Sequence, residues 1–352
     1  MDYKKEIEEL VNLILKEGAS DLHLSPGRVP IIRSSSNLIP LVKKPVLSDV
    51  DMKGFLNVFL SPVNKALLET EKNVDFSYNL TNARFRGNAF YHQGSISVAL
   101  RLIPKLIRTL SELNLPPILE TFTRKPQGFF LVVGPIGVGK TTTLATMVDL
   151  INQTRAEHIL TIEDPIEYLF ESKKSIIDQR EVRIDTPDFH SALTAMFRED
   201  IDVAMVGEMR DVNTISTAVT AAETGHLILS TLHTNNASQT IDRIIDSFPP
   251  AQQDQIRVQL AGSLTGIFSQ RLIPRISGGL IPAYELLINN NAISNLIRER
   301  RTHELNSVIE TSSQEGMIDM NRSLAELVRA GEITVESAYT NSLNPKTLER
   351  MI

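Results

Sequence analysis

The chain has no cysteine and no tryptophan in its 352 residues. Without thiols there are no disulfides, no thiolate zinc sites and no thiol catalysis, so any metal must be held by oxygen or imidazole. Long apolar runs are missing too. The longest span about half a dozen residues, against the roughly 18 to 20 needed to cross a bilayer. The opening Met1-Asp2-Tyr3-Lys4-Lys5-Glu6 is charged, with no apolar signal behind it. These absences predict a cytoplasmic protein. Positive charge is not in surplus either: 36 Lys and Arg against 42 Asp and Glu leave a net charge of −6, which argues against direct binding along nucleic acid. The nearest basic stretch, Arg298-Glu299-Arg300-Arg301, mixes signs and reads as a solvated helix face. What remains, 42% hydrophobic and 22% charged, is the balance of a globular protein whose length predicts two domains.

Residues 134 to 141 read Gly134-Pro135-Ile136-Gly137-Val138-Gly139-Lys140-Thr141, a complete Walker A pattern. The apolar stretch Phe129 to Val133 precedes it, and Thr142-Thr143-Leu144-Ala145-Thr146-Met147 follows, which predicts strand, phosphate loop and helix. Glycines in such a loop let successive backbone N–H groups turn toward one point, and the helix adds the positive end of its dipole. Gly134 to Thr142 would therefore hold the phosphates of ATP. Lys140 would reach the β- and γ-phosphates, and Thr141 would offer its hydroxyl to a bridging Mg²⁺.

The rest of the chain falls into segments. Ile7, Leu10, Val11, Ile14 and Leu15 recur at helical spacing and Gly18 is placed to end that helix. From Ser20 to about Leu102 short strands such as 75–78, 84–86 and 95–100 alternate with proline-marked turns, which predicts a separate α+β domain over 1–102. Prolines at 104, 116, 117 and 126 punctuate the passage onward, with a linker and hinge expected at 103–115. Over 116–260 the β-rich runs 159–162, 203–206 and 227–229 alternate with helical stretches, an α/β pattern with a largely parallel sheet. From about Gln252 the pattern reads as mostly helical, giving a helical region over 261–352.

In open parallel sheets ligands bind beyond the carboxyl ends of the strands. Three predicted strands end in polar residues there: Glu163-Asp164, Gly207-Glu208 and Ser230 to Thr234. Phosphoryl transfer needs the metal placed, a water aimed in line and the developing charge neutralised. Glu208 suits the Walker B role on Mg²⁺, Glu163 the base that orients the attacking water, and His233 an N–H donor that reads the γ-phosphate. His226 begins its strand, where a structural role is nearly as well supported.

With these residues assembled, the chain resembles the type IV pilus and type II secretion ATPases. Leu160-Thr161-Ile162-Glu163-Asp164-Pro165-Ile166-Glu167-Tyr168 is similar to that family's Asp box. Val206 to Asp211 is similar to its atypical Walker B, with glycine where other ATPases carry aspartate, and 224–234 to its His box. Ala292-Ile293-Ser294-Asn295-Leu296-Ile297-Arg298-Glu299 resembles the signature of the retraction branch, and Ala19-Ser20-Asp21-Leu22-His23-Leu24 matches the family's N-terminal domain. The resemblance implies a RecA-like ATPase core with a PAS-like N-terminal domain, assembled as a homohexamer. It further implies a motor acting on an inner-membrane pilus platform protein at the cytoplasmic face of that membrane, with Arg84, Arg86 and Arg101 brought to the triphosphate. Three positions depart from the pattern: Ser294 replaces an arginine, Ile201 a proline, and Ser34-Ser35-Ser36 a more usual turn. An accessory retraction or DNA-uptake paralogue, or a RecA-like nucleic-acid translocase, stays open at this point.

Overall fold

The computed structural model describes residues 2–34, 37–80, 83–103 and 106–352. Ser35 and Ser36, and Pro104 and Lys105 of the expected linker, lie outside the described residues. The chain forms two compact units, one of residues 1–106 with 165–169, the other of 107–164 with 170–352.

The first unit opens with α1 (Tyr3–Lys16), capped by the Asp2 carboxylate on the Lys5 N–H. Its stripe of Ile7, Leu10, Val11 and Ile14 is buried, and Gly18 follows at φ +57°, a conformation glycine adopts without strain. Strands β1 (Asp21–Leu24), β2 (Ile31–Ser34), β3 (Asn37–Pro40), β4 (Asn73–Leu80), β5 (Ala83–His92) and β6 (Ser95–Ile103) make one sheet in the order β3-β2-β1-β6-β5-β4, antiparallel throughout. Helices α2 (Asp49–Phe59) and α3 (Pro62–Glu71) stand between β3 and β4 in the chain. Because side chains alternate across a strand, Leu22, Leu24, Phe85, Ala89, Val98 and Leu100 share one face, where they join the α1 stripe and Phe55 of α2 in a single core. The alternate positions put Asp21, His23, Arg33, Arg84, Arg86 and Arg101 on the other face.

The second unit is built on seven strands: β7 (Gly128–Val133), β8 (His158–Glu163), β9 (Ile176–Glu181), β10 (Val203–Val206), β11 (Leu227–Leu232), β12 (Leu264–Pro274) and β13 (Leu280–Ile288). Their order is β13-β12-β7-β11-β10-β8-β9, with every neighbouring pair parallel except the antiparallel β12–β13. A parallel sheet covered on both faces buries both sides of each strand. Thus Phe129, Leu131 and Val133 of β7 enter one core and Phe130 and Val132 the other. The first core takes α6 (Phe189–Met196), α7 (Val212–Glu223), α8 (Ala237–Asp246) and α9 (Pro250–Ser263); the second takes α4 (Leu119–Thr123) and α5 (Lys140–Thr154). The sheet is the α/β architecture the sequence predicts.

One expectation is corrected. The helical pattern from Gln252 ends with α9 at Ser263, and β12 and β13 then add two strands to the sheet, joined by Gly278 and Gly279 at φ +92° and +79°. Helices resume only with α10 (Asn291–Arg298), α11 (Leu305–Thr311), α12 (Met320–Arg329), α13 (Val335–Asn341) and α14 (Pro345–Glu349).

Candidate functional site

The phosphate loop runs from the end of β7 into α5. Gly137 and Gly139 sit at φ +82° and +84°, and α5 begins on Gly139 with no side-chain cap among the described residues, so its first N–H groups have no capping side chain bonded over them. Gly134, at φ +147°, is required by contact as well: a Cβ there would lie 2.4 Å from the carbonyl oxygen of Gln270. Glycines at these φ values allow the loop its tight turn, and the start of α5 has no side-chain cap hydrogen bond among the described residues. Ile136 stands at the tip, 87% exposed.

Lys140 is buried under the loop. Its Nζ donates to the carbonyls of Gly134 at 2.9 Å and Pro135 at 2.8 Å and lies 3.2 Å from Nδ1 of His233. Burial, then the neighbouring ammonium, lowers the pKa of His233 below that of an ordinary histidine, so the ring is neutral at pH 7. An ammonium only donates, so Nδ1 must accept and the ring proton must reside on Nε2. That nitrogen faces Oε2 of Glu208 at 3.7 Å. Lys140, His233 and Glu208, from three separate motifs, form one contiguous chain of contacts.

Glu208 lies two residues past β10 and also pairs with Arg210. Gly207 beside it donates its N–H to the carbonyl of Ile162 at 2.8 Å, and a Cβ there would come within 3.3 Å of that carbonyl and make ordinary contact with the Glu163 backbone at 3.6 Å. Glu163 closes β8 and is 3% exposed; its Oε1 accepts from the Thr161 hydroxyl at 2.8 Å and the Gln179 amide at 3.3 Å. Strands β7, β11, β10 and β8 are consecutive and parallel, so Lys140, His233, Glu208 and Glu163 gather at one end of the sheet.

The three arginines belong to the first unit. Arg84 is buried, donating to Asn79 Oδ1 and Ser77 Oγ, both at 3.2 Å. Arg101 donates through Nε to Asp21 Oδ1 at 2.9 Å with its side chain 69% exposed. Arg86 is 3.9 Å from the Glu167 carboxylate. His226 sits before β11 with Nδ1 3.1 Å from the Ala221 carbonyl, bonded within its own turn.

Sequence reading missed several supporting residues. Gln270 of β12, 3% exposed, accepts from the Thr143 hydroxyl at 2.7 Å and donates to the Val138 carbonyl at 2.8 Å. It ties the second half of the loop to the first turn of α5. On either side, Ser269 donates to the Asn235 carbonyl at 2.8 Å beyond His233, and Arg271 donates to the Asn341 carbonyl at 2.6 Å. Thr161 was discoverable, since it precedes Glu163 by two on the same strand face. A cavity of about 380 Å³ adjoins the loop, lined by Gly139, Thr142, Thr143, Gln270, Leu272 and Pro282 among others.

The model of a family described as type II/IV secretion system protein matches residues 3–279. The type IV pilus retraction ATPase PilT of Pseudomonas aeruginosa is 42% identical over 97% of this chain and 99% of its own. A twitching motility protein of Neisseria gonorrhoeae is 42% identical over 91% of this chain and 86% of its own. Among solved structures, the pilus retraction motor PilT with bound ADP superposes with a TM-score of 0.92 at 46% identity, covering 97% of this chain and 98% of that one. A match over this much of the chain, by family model, sequence and fold alike, means that the chain belongs to the type II/IV secretion system protein family.

Proposed function

We propose that the protein is the ATP-hydrolysing motor of type IV pilus retraction, working as a homohexamer on the inner-membrane platform protein at the cytoplasmic face of that membrane. The observation that carries the nucleotide half of this reading is the Lys140–His233–Glu208 chain beside the tight glycine turn of the Walker A loop. The likeness to the retraction motor over nearly the whole chain supports the other half.

In this mechanism ATP lies with its phosphates in the loop 134–142 and its nucleoside against Leu272 and Pro282. Lys140 exchanges its loop carbonyls for phosphate oxygens, a charge-assisted pairing stronger than the neutral ones it leaves. Glu163 aligns the attacking water and accepts its proton; the Thr161 and Gln179 bonds hold its carboxylate for that task. His233 donates its Nε2 proton toward the γ-phosphate instead of toward Glu208, so the His233–Glu208 contact differs before and after hydrolysis. Thr141 and Glu208 supply hard oxygen donors that fit Mg²⁺, which when bound neutralises phosphate charge. Arg101, exposed and held by Asp21, is the arginine best able to reach developing charge, with Arg84 and Arg86 beside it on the same sheet face.

The test is a count of surface pili in the native host after deletion of this gene and in a strain carrying Glu208→Gln. Excess pili that do not retract are expected in both; bald cells would make the protein an assembly motor, and unchanged pili would remove it from pilus dynamics.

A further inference from the structure

Of the motif Ala19 to Leu24 only Asp21, through Arg101, enters the proposed nucleotide chemistry, and the motif also places His23 at an unusual spot. His23 lies on the sheet face of the first unit opposite the helices, and its Nε2 is buried without a hydrogen-bond partner among the described residues. A buried polar atom left unpaired is costly, so its presence asks for an explanation. Around it lies a recess of about 270 Å³ whose polar wall is His23, Ser25, Arg28, Arg33, His92 and Ser97. The remaining wall is apolar, and no carboxylate lines it among the described residues. Asp21, two residues before His23 on the same sheet face, is engaged by Arg101 at 2.9 Å and by the Ser20 hydroxyl at 2.7 Å.

The floor is organised. Ser97, 3% exposed, has its Oγ 2.7 Å from Ser25 Oγ and 2.7 Å from His92 Nε2, a chain of hydroxyls and imidazole fixed in one geometry. Two guanidinium groups beside imidazoles and buried hydroxyls match an oxyanion: the guanidiniums supply forked donors and positive charge, the imidazoles and hydroxyls neutral hydrogen-bonding groups. Size limits the guest. At roughly 30 Å³ per water the recess has room for about nine waters, the volume of a ligand of about a dozen heavy atoms or fewer.

We infer that this recess is a binding site for the oxyanion group, phosphate or carboxylate, of a small molecule, distinct from the phosphate loop. The test is calorimetric titration of inorganic phosphate into the full chain preloaded with ADP and Mg²⁺, with malonate in a parallel run. Saturable binding of either anion is expected, and which one saturates identifies the class of ligand. Arg28→Ala and His92→Ala should each weaken it about tenfold, as loss of a charge-assisted bond implies, without changing ADP affinity or the melting temperature. Anion bound at the phosphate loop would ignore both substitutions. Absence of saturable heat, equal affinity in the variants, or binding only after the ring is dispersed into single chains would each overturn the inference; the last would mean that a second copy covers the recess.

Discussion

Glu163 and Gln270 are both polar side chains buried at a sheet end, and they call for different tests. Glu163 is proposed to act on water. Its amide isostere keeps shape and most hydrogen bonding but cannot take a proton, so Glu163→Gln should bind ATP normally and hydrolyse it at least about a hundredfold more slowly. Equilibrium nucleotide binding beside single-turnover hydrolysis separates the two effects, and unimpaired turnover would refute the assignment. Gln270 acts on the loop. Replacing it by leucine strands the Val138 carbonyl and the Thr143 hydroxyl, each worth about 1–3 kcal/mol when buried and unpaired. Gln270→Leu should therefore weaken ADP and ATP binding about tenfold or more while kcat at saturating ATP changes less. Combined with Thr143→Val the losses should fall short of additive, since both changes break the same bond. The two residues also differ in legibility. Glu163 stood at the end of an apolar run inside a recognisable motif, whereas nothing in Phe268-Ser269-Gln270-Arg271 distinguishes a loop brace from an exposed strand residue.

The strands beside the phosphate loop were legible because each is a short apolar run ending in chemistry. The β12–β13 hairpin was not, for a physical reason: it is buried on both faces, so it lacks the period-two alternation of a half-exposed strand, and its polar residues are inside because they bind backbone. Glu285 of β13 is the extreme case. Its carboxylate accepts from the Ala237 N–H at 2.8 Å, tying the start of α8 to the sheet a few residues beyond His233. Burial raises its pKa from 4.5 to about 7; the Ala237 N–H and Arg271 oppose the rise, and Asp319 adds to it. Below the unfolded value both states are protonated and this site favours neither. Between about 4.5 and 7 the folded chain keeps a proton that the unfolded chain has released, so stability falls as pH rises through that interval. Each pH unit crossed with one whole proton of difference costs about 1.4 kcal/mol. The melting temperature should accordingly decline between about pH 5 and pH 8 more steeply in the native chain than in Glu285→Gln, which cannot titrate. Parallel slopes would show that Glu285 stays ionised in the fold.

On the scale of the whole molecule, composition and motif order indicated two units, but not that residues 165–169 belong with the N-terminal one. That segment follows Glu163 and Asp164 directly, so the chain passes between the units at three places, one of them adjoining the proposed catalytic base. Periodicity could not reveal this, because a five-residue excursion carries no pattern of its own. In the homohexamer proposed above it has a consequence for how the subunits would work together. If the position of Glu163 depends on a unit that must move as neighbouring subunits turn over, a stalled subunit impedes its neighbours rather than only itself. Mixed rings test this. When wild-type chains are reassembled with Glu163→Gln chains in increasing proportion, independent subunits would lose ATPase activity in simple proportion to the fraction substituted. Coupled subunits should lose it much faster, with rings of equal mixture falling well below half of the wild-type rate. A straight line would leave the subunits hydrolysing independently and would remove the 165–169 connection from any account of how the ring coordinates its strokes.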